Sequence, residues 1–410
     1  MLLIGRCLLA VAVLDLALGG NGYLFTIAGL RLREILFVLC MTWTAIWLVR
    51  GRLDPMIWIL TGLFVTITAA SAGIGCLNGN ADILAELKPL AYFPMLLFFV
   101  AAIRTEGDVR LVTRLLIACG MTLGVIYLMT LAAVYSGTVR YADVFNFVRG
   151  DEFMFRHVLD NQAPYIGFFY KGMVYAGVAA ILLMFSTRLW QFSLVIMPAI
   201  ALTLTRSLYL GMVAAMATGA LIDRVKMARA VTAVLILGAV GFTGMMAESR
   251  IVEKAPQETA ALSTIETTIP RNEGISQRTN DVDYVFKKTS PLELLIGHGL
   301  GATIQGRQRI EAGYFEIIYK QGLLGLLPWS AMMFYLVTLY RRNPTDCALA
   351  MLCCAIFVYV THVTLPIMTG SIGMGIVFIS LAGLAALYRK TAPAPVQLWR
   401  PSERESPSLS

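Results

Sequence analysis

Arg206 lies in Thr203-Leu204-Thr205-Arg206-Ser207, between two apolar stretches and with no acidic residue near it in sequence. An ionisable group at membrane depth is costly unless paired, so a cation there calls for an anion. A guanidinium holds phosphate oxygens bidentately, which suits a diphosphate at the level of lipid headgroups. Each such charge-assisted bond contributes roughly 1.5–3 kcal/mol. Snorkelling of the side chain to the interface is the other reading. For Arg31, Arg33 and Lys88, which stand at the starts of apolar stretches, the same two readings apply and snorkelling is the favoured one. Gly297-His298-Gly299-Leu300-Gly301 is either a plain tight turn or, through Gly297, Gly299 and Gly301, a run of backbone N–H groups offered to phosphate. Glu311 and Glu316 enter an apolar helix at its start. A carboxylate there either complements the helix dipole or, partly buried with a raised pKa, serves as a general base.

Those residues are positioned by apolar stretches at roughly 2–19, 31–49, 56–77, 85–103, 111–136, 167–187, 189–205, 207–222, 229–247, 313–340, 346–365 and 367–388. Their lengths predict an all-α polytopic membrane protein of about 12 spans, since a bilayer crossing takes about 20 apolar residues. Basic residues follow the even-numbered stretches: Arg50 and Arg52; Arg104, Arg110 and Arg114; Arg188; Arg224, Lys226 and Arg229; Arg341 and Arg342; Arg389 and Lys390. The positive-inside rule then predicts both termini on the cytoplasmic side. Arg31, Arg33, Lys88 and Arg206 fall on the opposite, outer side. Arg271, Arg278, Arg307 and Arg309, in the largest polar loop, fall there too.

Composition agrees. The 410 residues are 58% hydrophobic and 14% charged, with a mean hydropathy of +0.73. Soluble domains carry about 25% charged residues and cannot hide this much apolar surface. The net charge of +8 reflects positive-inside bias, and no basic run with interleaved aromatics points to nucleic acid. The seven cysteines lie in or beside apolar stretches, which argues against disulfides and a zinc site. His157, His298 and His362 are too scattered for a metal cluster, so neither a metal nor another cofactor is expected. The first stretch resembles a signal peptide in length, but Arg6 and Asp15 interrupt it and no clear cleavage site follows. It reads as a retained helix.

The expected organisation is residues 1–247 with nine spans, a large outer loop 248–312 containing short helices, three spans in 313–388, and a Pro/Ser-rich, disordered cytoplasmic tail 389–410. In the large loop, Ile275–Thr289 has helical periodicity, with Val282, Val285 and Phe286 on one face and Pro291 ending it. Asp143, Asp151, Glu152, His157 and Asp160 in the smaller outer loop, 137–164, read either as sugar contacts or as solvated loop residues.

Three segments resemble the O-antigen ligase and O-antigen polymerase superfamily. They are Leu202–Ser207 followed by Leu208–Gly211, then Arg278 with the run to Gly301, and Glu311 to Leu327 with its Lys320-Gln321-Gly322-Leu323-Leu324-Gly325. The resemblance covers about residues 190–330. It implies a metal-independent glycosyltransferase of the bacterial inner membrane, working at the periplasmic face on glycan carried by undecaprenyl diphosphate. It implies diphosphate contacts at Arg206 and Arg278, supported by Arg31, Arg33, Lys88, Arg307 and Arg309, and an acid/base residue at Glu311. A chain-length regulator and a flippase of the same pathway are the implied protein partners. Ligases usually carry His-Asn where this chain has Glu311-Ala312, which favours a polymerase of O-antigen or exopolysaccharide over a lipid A-core ligase. A transporter of the same lipid-linked glycan and a non-catalytic scaffold are the remaining classes. A transporter would place charges at mid-span and often carry internal repeats, whereas the charges here gather at one face.

Overall fold

The computed structural model describes residues 2–19, 26–27, 30–49, 51–139, 155–156, 169–170, 172–252, 280, 282–287, 289–304 and 312–391. Its helices are α1 (Leu2–Leu18), α2 (Leu32–Leu48), α3 (Pro55–Leu77), α4 (Ile83–Leu90), α5 (Met95–Ala102), α6 (Glu106–Tyr135), α7 (Met173–Ser186), α8 (Gln191–Leu202), α9 (Arg206–Ile222), α10 (Met227–Val252), α11 (Pro291–Ile296), α12 (Gly313–Gln321), α13 (Leu327–Arg342), α14 (Asp346–His362) and α15 (Ser371–Thr391). Two short antiparallel pairs accompany them: β1 (Thr26–Ile27) with β2 (Leu30–Arg31), and β3 (Phe155–Arg156) with β4 (Phe169–Tyr170).

Every apolar stretch read from the sequence contains a helix, and the protein is a predominantly helical, multi-pass membrane protein. Among the described residues, six helical segments are long and apolar enough to cross a bilayer: Pro55–Leu77, Ile83–Ala102, Glu106–Val134, Arg224–Met246, Leu323–Arg342 and Ser371–Arg389. Length and composition therefore support about half of the spans expected. Met173–Ser186, Gln191–Leu202, Arg206–Ile222 and Asp346–His362 are apolar but shorter. A 14-residue helix such as α7 rises only about 21 Å.

Two expected spans are broken for local reasons. Pro89 and Pro94 flank a turn that separates α4 from α5, since each lacks an N–H for the helix ladder. Gly322, at φ +69°, separates α12 from the 3-10 turn Leu323–Leu326 that leads into α13. Leu327-Pro328 then restarts the helix, with proline where its missing N–H has no helical partner to lose.

The interior is built from the helices that are apolar on all sides. Along α7, residues 173–185 are all buried, and most of α14 and α15 is buried as well. By contrast α3, α10 and α13 expose large apolar side chains, among them Trp58, Phe242 and Phe334. That is the arrangement of a bundle whose rim faces lipid. An aromatic layer joins α3, the α4–α5 turn, α13 and α15. Phe64 stacks on Phe93 with centroids 3.7 Å apart, while Trp329 and Phe378 meet Phe93 edge-on.

The charged ties sort the bundle into two ends. At one end Arg6 bonds Asp108 at 2.7 Å, Arg104 lies over the Trp47 ring, and Lys226 pairs with Asp223 and Asp346. At the same end Asn343 donates to the Leu387 carbonyl. These join the start of α1, the α5–α6 and α9–α10 connections, the start of α14 and the end of α15. It is the end that carries the basic connections, and it is called the basic end below.

Candidate functional site

At the opposite end, α14 finishes between the starts of two other helices. Helix α9 opens with Arg206 and runs antiparallel to α14. A Cβ on Gly211 would collide with Thr361 Oγ1 and would lie 2.9 Å from Phe357 Cδ2, so the absence of a side chain lets the two helices close. Helix α12 opens with Gly313. A Cβ there would lie 2.5 Å from His362 Cε1 and 2.7 Å from Nδ1. Thr361 thus faces the helix that Arg206 begins, and His362 faces the helix that Gly313 begins.

The Arg206 turn is firmly built. Thr203 is buried and donates its hydroxyl to the Ile200 carbonyl, Tyr127 donates to the Leu202 carbonyl at 3.0 Å, and Tyr209 donates to that of Ala201. Leu204 takes a left-handed φ of +49°, a conformation costing about 1–2 kcal/mol for a residue with a side chain. Thr205 is the N-cap of α9, but its side chain makes no capping bond. The guanidinium of Arg206 is exposed and makes no hydrogen bond or ion pair with another described residue. A free cation and uncapped helix N–H groups in one turn form an anion-binding arrangement.

The other cations of the sequence reading are placed differently. Arg33 is buried. Its Nε donates to Asp15 Oδ2 at 2.7 Å, Nη2 to the Asp15 carbonyl at 2.9 Å and Nη1 to Ser371 Oγ at 2.7 Å. Asp15, which interrupts the first apolar stretch, is therefore the counterion of Arg33, and the pair ties α1 and α2 to the start of α15. Lys88 pairs with Glu34 at 2.5 Å, and the Arg31 backbone N–H donates to Glu34 Oε2. Arg278, Arg307, Arg309 and Glu311 lie outside the described residues.

The Gly297–Gly301 segment works as a clamp: of its two readings it is the tight turn, and its amides are not offered to phosphate. Gly297 N–H caps α11 by donating to the Glu293 carbonyl, His298 N–H donates to Tyr319, Gly299 to Lys320, Leu300 to Ser71, and Gly301 to Glu86 Oε2. All of its amides are satisfied within the protein. Gly299 has φ +87°, and a Cβ on it would meet the Gly75 backbone, so the segment lies flush on the end of α3. Asn78 and Asn80 add bonds to the His298 carbonyl, and Asn80 one to that of Leu300.

Beneath the clamp, Lys320 is almost fully buried. Its Nζ contacts Glu86 Oε1 at 2.6 Å and Glu316 Oε1 at 2.8 Å. Glu316, weighed above as cap or base, is thus held in a lysine–dicarboxylate cluster that fixes α12 to α4. The helix holding 282–287 has ended before Pro291, as expected, and Pro291 also opens a new one. Ser290 and Glu293 form a capping box around it, and 282–287 is the described part of the preceding helix. The Ser-Pro-Leu-Glu spacing carried that signal.

Sequence reasoning missed His362, which it set aside as an isolated histidine. The residue is fully buried, its Nδ1 accepts the Met368 N–H at 3.2 Å, and its ring lies edge-on to Tyr314 with centroids 4.9 Å apart. Tyr314 in turn donates to the Tyr359 carbonyl at 2.9 Å and heads an apolar groove of about 490 Å³, lined also by Trp329, Met333, Phe334, Val337 and Tyr359. The arrangement offers an exposed cation, a helix N-terminus, buried hydroxyls and an imidazole, with an apolar track leading away from them.

Compared with known proteins, the chain is 24% identical over 393 residues to the O-antigen polymerase of Shigella flexneri, an alignment covering 91% of this chain and 93% of that protein. No family model matches, and no solved structure matches. The chain is O-antigen polymerase-like along nearly its whole length.

Proposed function

We propose, from that likeness, that the protein is an inner-membrane glycosyltransferase that polymerises O-antigen or related exopolysaccharide repeat units carried on undecaprenyl diphosphate. The observation that carries the reading is the meeting of the free Arg206 and the start of α12 on two sides of the end of α14, away from the basic end. In this reading all twelve apolar stretches cross the membrane. The basic end is cytoplasmic with both termini, and the 248–312 loop and the Arg206 turn are periplasmic.

Arg206 holds the diphosphate of the donor, with Arg278 as a second ligand and Arg307 and Arg309 adding positive potential. The polyprenyl chain lies along the groove below Tyr314, whose lining is apolar. An acceptor sugar hydroxyl attacks the anomeric carbon. Its O–H proton passes to the Glu311 carboxylate while the bond from that carbon to the diphosphate oxygen breaks, and undecaprenyl diphosphate leaves. Cations fixed where negative charge grows on the leaving group lower the barrier without reorganising. The glycosyl diphosphate already stores the free energy of the step. Glu311-Ala312 in place of the ligases' His-Asn favours a second lipid-linked repeat as the acceptor over lipid A-core.

Surface-polymer length in cells carrying Arg206→Ala or Glu311→Gln tests the assignment of roles. Single-repeat glycan is expected from both at wild-type protein levels. Wild-type chain lengths from both would remove these residues from the mechanism.

A further inference from the structure

The Gly297–Gly301 clamp and the short helix α11 before it lie at the depth of the spanning helices, although the sequence counts them in a polar outer loop. Leu300 is buried and donates its N–H to the Ser71 carbonyl at 3.0 Å, and its own carbonyl oxygen would lie 2.3 Å from a Cβ on Gly75. Ser71 precedes the end of the apolar segment Pro55–Leu77 by six residues, so Leu300 meets α3 about 9 Å below that end. The 23 residues of α3 are about 35 Å long, against a hydrocarbon core of about 30 Å. Even with the whole excess of about 5 Å standing out at this end, Leu300 lies inside the core.

Irregular backbone is tolerated at such depth only where the protein itself satisfies its polar groups. The clamp meets that condition. Its five amides all donate within the protein, and the carbonyls of His298, Gly299 and Leu300 accept from Asn78, Ala302 and Asn80. The side chains of α11 are placed differently. None of its residues is fully buried, and Leu292 and Leu295 are 65% and 45% exposed. A Cβ on Gly322 would lie 2.1 Å from the Leu295 carbonyl oxygen, so α11 rests against the turn that leads into α13. On that turn Leu323, Leu324 and Leu327 are exposed too, and they open the apolar segment Leu323–Arg342. The leucines of α11 therefore continue the lipid-facing rim of a spanning segment. The Glu293 carboxylate in the first turn of α11 is half-exposed and accepts the Ser290 N–H, which suits a helix start at the level of headgroups.

We propose that α11 is an interfacial anchor: Leu292 and Leu295 lie among the acyl chains of the leaflet at this end and, with the clamp, hold the 248–312 loop to that leaflet. The partner is the lipid surface itself. An interfacial amphipathic helix buries its apolar face about 5–10 Å into the boundary between headgroups and acyl chains, which matches the depth at which Leu300 meets α3. Leu326, on the same turn, lines the groove headed by Tyr314, so the anchor borders that groove. The inference needs only that the chain spans a membrane and does not depend on the reaction it performs.

The experiment uses the full-length protein in phospholipid nanodiscs that hold one chain each. Cys7→Ser, Cys76→Ser and Cys347→Ser together leave only buried thiols. In that background a nitroxide is attached to Leu292→Cys, Leu295→Cys, Phe334→Cys or Lys287→Cys, each in a separate variant. Electron paramagnetic resonance then measures how often the label collides with oxygen, which concentrates in lipid, and with a water-soluble nickel chelate. Phe334, 74% exposed on a spanning segment, calibrates lipid, and Lys287, whose side chain is 73% exposed and paired with Asp283, calibrates water. Labels at Leu292 and Leu295 are expected to give an oxygen-to-chelate ratio several-fold above that of Lys287→Cys, shifted toward that of Phe334→Cys, at unchanged melting. A ratio equal to that of Lys287→Cys overturns the proposal. Shielding from both reagents also overturns it, since protein and not lipid would then cover α11. Should Leu292→Cys fail to fold, Leu295→Cys gives the same reading.

Discussion

Removing the amine of Lys320 by Lys320→Met should loosen the Gly297–Gly301 clamp without unfolding the bundle. The wild-type Nζ lies 2.6 Å from Glu86 and 2.8 Å from Glu316, and the side chains are 6%, 17% and 13% exposed respectively. Truncating one member of a buried ion pair costs about 3–5 kcal/mol, because the partner charge is left without compensation. Two carboxylates are stranded here, but both retain some water, and Glu86 keeps the Gly301 N–H. The lower figure, about 3 kcal/mol, is therefore appropriate. The penalty falls on the contacts among α4, α12 and the Gly297–Gly301 clamp, so it is paid as local opening. At 1.4 kcal/mol per decade, amides in 298–301 should exchange with solvent about 100-fold faster, while those of the buried α7 stay unchanged. Hydrogen exchange read by mass spectrometry on peptides covering 291–304 and 173–186 measures both. Adding Glu86→Gln and Glu316→Gln should restore most of the protection. Unchanged exchange in 291–304 for Lys320→Met would show that the cluster does not hold the clamp.

Arg33→Met should also cost about 3–5 kcal/mol, since Asp15 is 2% exposed and Asp15 Oδ1 already has no partner among the described residues. Thermal melting in detergent should show Asp15→Asn/Arg33→Met recovering more than half of that loss. Gly299→Ala should abolish stable clamping, because its Cβ would meet the Gly75 backbone, while Gly79→Ala, also at positive φ but in open space, should cost only about 1–2 kcal/mol. Limited proteolysis within 289–304 distinguishes them. The Ser290 hydroxyl and then its backbone N–H hold the Glu293 carboxyl below its ordinary range. A depressed folded pKa gives capping stability that is complete above the ordinary Glu value of ~4.3 and is lost as pH falls through the folded value. The Glu293 carboxyl titration should therefore move up in Ser290→Ala.

The helices are legible because lipid imposes long apolar runs, and each run in the sequence contains a helix in the structure. Their breaks are less so. Pro89 and Pro94 could have been read as the end of one helix and the start of another, but an apolar run of 85–103 hides the turn between them. The Ser290-Pro291-Leu292-Glu293 capping box is readable in the sequence as the start of a second helix just after the first has stopped. Partnerships across the chain were not legible at all. Arg33 and Asp15 are 18 residues apart, and Lys320 and Glu86 are 234 apart, so only the packing of helices shows that those charges are neutralised. Once they are, Arg206 stands out, since its guanidinium has no described partner. His362 was passed over because isolation in sequence says nothing about what packs against the ring after folding.

The central claim is that the Arg206 turn grips the diphosphate of a lipid-linked glycan during polymerisation. Purified wild-type and Arg206→Ala protein, given polyprenyl-diphosphate-linked repeats, test it directly through the glycan ladder and the polyprenyl diphosphate released. Because Arg206 is exposed and without a described partner, the variant should melt within about 0.5 kcal/mol of wild type. Losing a bidentate contact of two bonds, about 3–6 kcal/mol in all, should slow polymerisation by about 10²–10⁴. A ladder from Arg206→Ala equal to that of wild type, at equal protein and substrate, would contradict the account.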